Sequence, residues 1–207
     1  MPEIDPEYLK HQYLYVPYED KIDTVAIGKA IGLYVAGQLG VRLTILTVMK
    51  SNASMHREFN GLTVVTERSG SISEGSVVLA WCPTDKAMDK LSHLSKSIAV
   101  AVEWPTTSLR GWAKLVGAYN IFTGTTMESG LSPAGLATMD DIVSEGYNGW
   151  HDDIARTLVH GHLRELSDRG EYDRELVLAH ARRAKGEYSM GTLVKILDRF
   201  EMERQSV

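Results

Sequence analysis

Short apolar runs alternate with longer runs of helical period over residues 1–130 of this chain. Residues 12–17 (QYLYVP) are aromatic and β-branched and end in proline, a strand signal. Asp23 then reads as an N-cap for a helix over residues 24–39, with Gly40 as its stop. Apolar or small residues lie nearly all round that helix, which predicts burial. Gly28 and Gly32 fall on one face and predict tight packing on a sheet. Further strands are expected at residues 42–49, 62–66, 76–81, 97–103 and 118–123. A short helix is expected at 52–59. Helical spacing recurs at Ala87, Met88, Leu91 and Leu94, and again at Leu109, Trp112, Ala113 and Val116.

Strands alternating with helices mean βαβ units and a parallel sheet. The runs VVLA and IAVAV are apolar without alternation, as in strands covered on both faces. The expected fold class is α/β: a Rossmann-like three-layer arrangement around a mostly parallel sheet of five to six strands. The join between the third and fourth strands looks too short for a crossover helix, which suggests an antiparallel pair there. From residue 131 the pattern is helical only. Stripes at Ile154, Leu158, Val159, His162 and Leu166, at 174–184, and at Met190, Leu193, Val194, Leu197 and Phe200 predict an all-helical C-terminal region. The expected domains are 1–130 (α/β) and 131–207 (helical).

Composition changes this picture little. The 207 residues are 43% apolar and 24% charged, ordinary for a globular chain. A net charge of −5 disfavours nucleic-acid and anionic-membrane partners. The polar, acidic start is unlike a signal peptide, and the most apolar long stretch, Thr24 to Gly40, carries Lys29 and is too short for a membrane span. With Cys82 as the one thiol and no disulfide possible within the chain, the expected location is the cytoplasm.

Candidate chemistry starts from a repeated punctuation. Two apolar runs end in tryptophan, proline and threonine: LAWCPT at 79–84 and VEWPT at 102–106. Proline stops strand pairing, and the following Thr or Asp is a helix N-cap: Thr84 or Asp85 in one case, Thr106 or Thr107 in the other. That is structural grammar first. It also lines up Trp81, Cys82, Thr84, Glu103, Trp104, Thr106, Thr107 and Ser108 along the C-terminal edge of the sheet, where ligands of open α/β sheets bind. The loop TGTTMESG at 123–130 joins them with Thr123 and Thr125. Hydroxyls and free N–H groups suit an anion, and tryptophan rings suit a base or sugar. The expected ligand is small and anionic or nucleotide-like, with transfer or hydrolysis as the reaction class if there is one. Glu103 or Asp85 is then the acid/base candidate and Cys82 the nucleophile candidate, with His56 or His93 as the base nearest in sequence. Neither a G-x-G-x-x-G nor a G-x-x-x-x-G-K-[ST] motif occurs, so no particular cofactor is implied.

The tail carries two further patterns. His151, Asp152, Asp153, His160 and His162 resemble a metal cluster in composition, but residues two apart do not share a helix face, and acids at a helix start cap it. Residues 175–200 have a helix-turn-helix outline with Arg182, Arg183 and Lys185, yet acids are interleaved throughout. The tail is read first as a helical appendage that covers the sheet or makes a homo-oligomer contact. The alternative function is accordingly a non-catalytic regulatory or interaction protein whose tail binds a partner, DNA or a second copy.

Overall fold

The structure is a computed structural model and describes residues 4–91 and 94–205, without the side chains of Glu58 and Asp85. The chain divides into two compact units between Glu128 and Ser129.

The N-terminal unit is a Rossmann-like three-layer α/β arrangement. Its elements run β1 (Tyr13–Val16), α1 (Thr24–Leu39), β2 (Leu43–Thr47), α2 (Lys50–Ser54), β3 (Thr63–Thr66), β4 (Val77–Trp81), α3 (Asp85–Met88), β5 (Ile98–Val102), α4 (Arg110–Val116), β6 (Tyr119–Asn120) and β7 (Thr125–Thr126). Asp23 caps α1 by accepting from the Ala26 N–H at 2.9 Å. Gly40 ends it with a left-handed φ of 61°.

The seven strands lie in the order β3-β2-β4-β5-β1-β6-β7, and every neighbouring pair is parallel except β6 with β7. The antiparallel pair is therefore at the far edge and not between the third and fourth strands. β3 and β4 flank β2, each parallel to it. Residues 67–76 cross from β3 to β4 without a helix. Ile72 packs this segment onto the sheet. Glu74 ties it down by accepting from the Ser95 and Lys96 N–H groups and the Ser95 hydroxyl. An irregular segment with two turns and one apolar anchor thus replaces the usual crossover helix.

Side chains of the central strands alternate between two cores. Ile45, Leu79, Val100 and Val102 meet Ile31 and Val35 of α1 on one face. Leu46, Ala80, Ala99 and Ala101 meet Ala87, Met88, Leu109 and Trp112 on the other. Gly28 is where α1 comes closest: a Cβ there would lie 2.1 Å from Val102 Cγ2. Val102 is fully buried and β-branched, so it has little freedom to yield. Gly28→Ala is expected to destabilise by about 1–3 kcal/mol, despite alanine's better helix propensity. The Gly28→Ala/Val102→Ala double variant should lose less than the sum of the singles in urea unfolding. Additive losses would show that the contact is not the cause.

The C-terminal unit holds α5 (Pro133–Glu145), α6 (Asp153–Asp168), α7 (Arg174–Arg182) and α8 (Glu187–Gln205). Ser132, Asp152 and Asp173 cap the first three by accepting from N–H groups in the first turn. The buried stripe of α6 is Ala155, Val159, Leu163 and Leu166. Ile154 and Leu158, expected on that stripe, are exposed instead. Either set fits a helical period; Leu163 and the small Ala155 place the inward face one residue further on. Met190, Leu193, Leu197 and Phe200 of α8 are buried as expected.

Candidate functional site

Parallel strands bring the ends of β1, β2, β4 and β5 to one edge. The chain leaves β1 and β2 toward α1 and α2 on one face, and leaves β4 and β5 toward α3 and α4 on the other. Two neighbouring pairs therefore diverge at their C-terminal ends: β2 with β4, and β5 with β1. Such divergence opens a crevice.

Between β5 and β1 the crevice is bridged by Glu103. Its Oε2 accepts from the Tyr15 hydroxyl and the Tyr18 N–H, each at 2.8 Å, and its Oε1 accepts from the Leu109 N–H at 2.8 Å. The side chain is buried. A carboxylate already held by three donors is a cross-link between loops, and this argues against Glu103 as the acid/base group. It also changes the reading of the second tryptophan-proline-threonine. Thr107 N–H donates back to the Trp104 carbonyl at 3.0 Å, so Trp104–Thr107 is a tight turn with Pro105 at its favoured position. Helix α4 starts later, after Leu109, and neither Thr106 nor Thr107 caps it. Glu103 supplies the negative charge at its N-terminus instead. Ser108 Oγ accepts from the Arg110 N–H at 3.3 Å. Trp104 is 45% exposed, with Thr106 and Ser108 also exposed.

The first tryptophan-proline-threonine behaves as expected at its threonine alone. Thr84 caps α3 by accepting from the Ala87 N–H at 3.2 Å and donates to Glu67 Oε2 at 3.0 Å. Trp81 is buried rather than presented to a ligand, with the His56 and Phe59 rings against it at 4.8 and 5.2 Å. Cys82 takes a left-handed φ of 47°, and burial pushes its thiol up to about 12. Burial thus holds the thiol away from the thiolate form that a nucleophile uses. The Asp85 side chain and His93 lie outside the described residues. Thr47, at the end of β2, is fully buried with a hydroxyl that has no partner.

On the other side of β1, Thr123 and Thr125 are exposed on the β6–β7 turn, with their hydroxyls 2.8 Å apart. Asn120 Oδ1 shapes that turn by accepting from the Phe122 and Thr123 N–H groups. Trp104, Thr106 and Ser108 thus sit on the loop leaving β5, Thr123 on the turn after β6 and Thr125 at the start of β7; β5 and β6 flank β1.

Sequence reasoning passed over Tyr15, Tyr18, Ile22, Val48 and Met49. The last four are exposed large apolar residues on the loops that leave β1 and β2. Tyr18 and Ile22 stand beside the strand that carries Trp104, whereas Val48 and Met49 stand past β2, further along the same edge. The signal was present in YVPYED, where a tyrosine follows the proline that ends a strand.

In the C-terminal unit, Asp152 caps α6, and the described residues hold no group of three or more His, Cys, Asp or Glu side chains able to bind a metal ion. No helix among the described residues is long and apolar enough to cross a membrane. No known protein family, curated protein or solved structure matches the chain.

Proposed function

We propose that the N-terminal unit binds a small anionic or nucleotide-like ligand at the C-terminal edge of its sheet, over the ends of β5, β1 and β6. The observation that carries this reading is a set of exposed apolar side chains, Tyr18, Ile22 and Trp104, on the loops that leave the paired strands β1 and β5. Exposed apolar surface of this kind marks an interaction site. Trp104 offers a ring face for a base or sugar, and Thr106, Ser108, Thr123 and Thr125 offer hydroxyls for its polar groups. Lys21, exposed on the β1–α1 loop, adds positive charge. Glu103 contributes rigidity by holding the loops under the ligand. Glu103 is held by three donors, so binding comes first in this reading and transfer or hydrolysis second.

The test is a thermal-shift screen of wild type and Trp104→Ala against nucleotides, sugar nucleotides, sulfate and phosphate. A ligand at a hundredfold excess over Kd stabilises the wild type by about 2.7 kcal/mol. Trp104→Ala should weaken binding roughly tenfold or more, as loss of a stacking ring does. Its own stability should change little, because the ring is half in solvent. A flat screen, or equal shifts in both proteins, would overturn the proposal. It would turn attention to the alternative, a non-catalytic protein acting through its helical C-terminal region.

A further inference from the structure

The C-terminal unit contains a polar groove of about 600 Å³ between α6 and α8. Arg156, His160 and Arg164 line it from α6 at a spacing of four, which places them on one helix face. Arg199 and Glu203 line it from α8. Two carboxylates, Asp153 and Glu203, stand among these cations. Arg199 Nε lies 3.1 Å from Glu203 Oε1, and His160 Nδ1 and Arg164 Nη2 lie 3.7 and 3.9 Å from Oε2. Arg156 is fixed beside them, with Nε donating to the Trp150 carbonyl at 3.1 Å and Nη1 to Asp153 at 3.2 Å.

Three guanidinium groups, Arg156, Arg164 and Arg199, face two carboxylates, Asp153 and Glu203, which leaves one positive charge in the groove unbalanced. Glu203 is itself partly exposed and near the end of α8, where it can swing aside. We infer that Glu203 occupies the place of a ligand's anionic group, and that the groove binds a small molecule carrying a diphosphate. Guanidinium forks match phosphate oxygens, and a diphosphate brings more charge than the carboxylate it displaces. Arg164 and Arg199 approach the two oxygens of Glu203 from separate helices, so each phosphate of a diphosphate can meet one guanidinium there. The net charge of −5 favours a small anion over a nucleic acid.

This site is independent of the one on the sheet edge. Calorimetric titration of the full chain with inorganic pyrophosphate, and separately with inorganic phosphate, tests it. Pyrophosphate should bind saturably and more tightly than phosphate. Glu203→Gln should tighten pyrophosphate binding roughly fivefold, the scale of one exposed charge pair. Arg164→Ala/Arg199→Ala should weaken it at least as much, with the circular-dichroism melt unchanged because both side chains are exposed. An isolated surface ion-pair cluster would show no such gain in Glu203→Gln. Absence of saturable binding, no gain in Glu203→Gln, or loss of binding in Trp104→Ala in place of the arginine variant would each overturn the inference.

Discussion

Glu103→Ala is expected to destabilise the N-terminal unit by about 3–5 kcal/mol, because three donors lose a charged acceptor at once. The Tyr15 hydroxyl and the Tyr18 and Leu109 N–H groups each point at this carboxylate from 2.8 Å. The methyl group of alanine satisfies none of them. Glu103→Gln should fall between alanine and wild type: its carbonyl oxygen still accepts, but its amide nitrogen meets donors on the other side. Urea unfolding followed by tryptophan fluorescence measures the difference, since Trp81, Trp104 and Trp112 lie in this unit. A shifted midpoint with an unchanged slope is the expected form. A loss below about 1 kcal/mol in Glu103→Ala would remove the cross-link role and return Glu103 to the list of groups free for chemistry.

The second large effect is expected in the C-terminal unit. Trp150 is completely buried, and its Nε1–H donates to the Ile142 carbonyl at 2.9 Å. Its ring lies so close under the preceding turn that a Cβ on Gly146 would come within 2.3 Å of it. Its backbone is left-handed, with φ 61° directly after Gly149 at 81°. Trp150→Ala should cost about 3–5 kcal/mol through the cavity and the unpaired carbonyl. Trp150→Gly leaves the same cavity but relieves the left-handed strain, so it should be more stable than the alanine variant by roughly 1 kcal/mol. Far-ultraviolet circular dichroism during urea unfolding measures both. If glycine proves worse than alanine, the left-handed backbone is not a source of strain. Because the Trp150 carbonyl holds Arg156, both variants also bear on how the guanidinium in the α6–α8 groove is fixed.

Much of the fold was legible because it depends on near neighbours in sequence. Asp23 and Gly40 bound α1 through contacts three or four residues away. VVLA and IAVAV announce strands covered on both faces. The site was less legible because its bonds span the chain. Glu103 meets Tyr15 and Tyr18 across 88 and 85 residues, and no local pattern encodes that pairing. The repeated tryptophan-proline-threonine shows the same limit. Thr84 caps a helix, whereas Thr106 sits in a turn, because Glu103 already serves the N-terminus of α4. Cys82 was misleading for a different reason. It reads as a nucleophile candidate from sequence, but the thiol's state follows from burial, which depends on how the whole unit packs. The β3–β4 connection was misread because a rule about crossover length outweighed a single packing residue, Ile72.

The strand order also governs when the sheet can close. Among the described residues β1 pairs with β5 and β6, and not with β2, β3 or β4. On a growing chain the apolar segment Tyr13–Val16 therefore emerges with nothing to pair with until residues 98–102 have been made. At ribosomal speeds that interval is on the order of ten seconds. Strands β2, β3 and β4 can associate during that time, and α1 can rest its buried face on β2 and β4. The final insertion of β1 beside β5, locked by Glu103 across the two strand ends, is then a late step with high contact order, which makes it the expected slow step of folding.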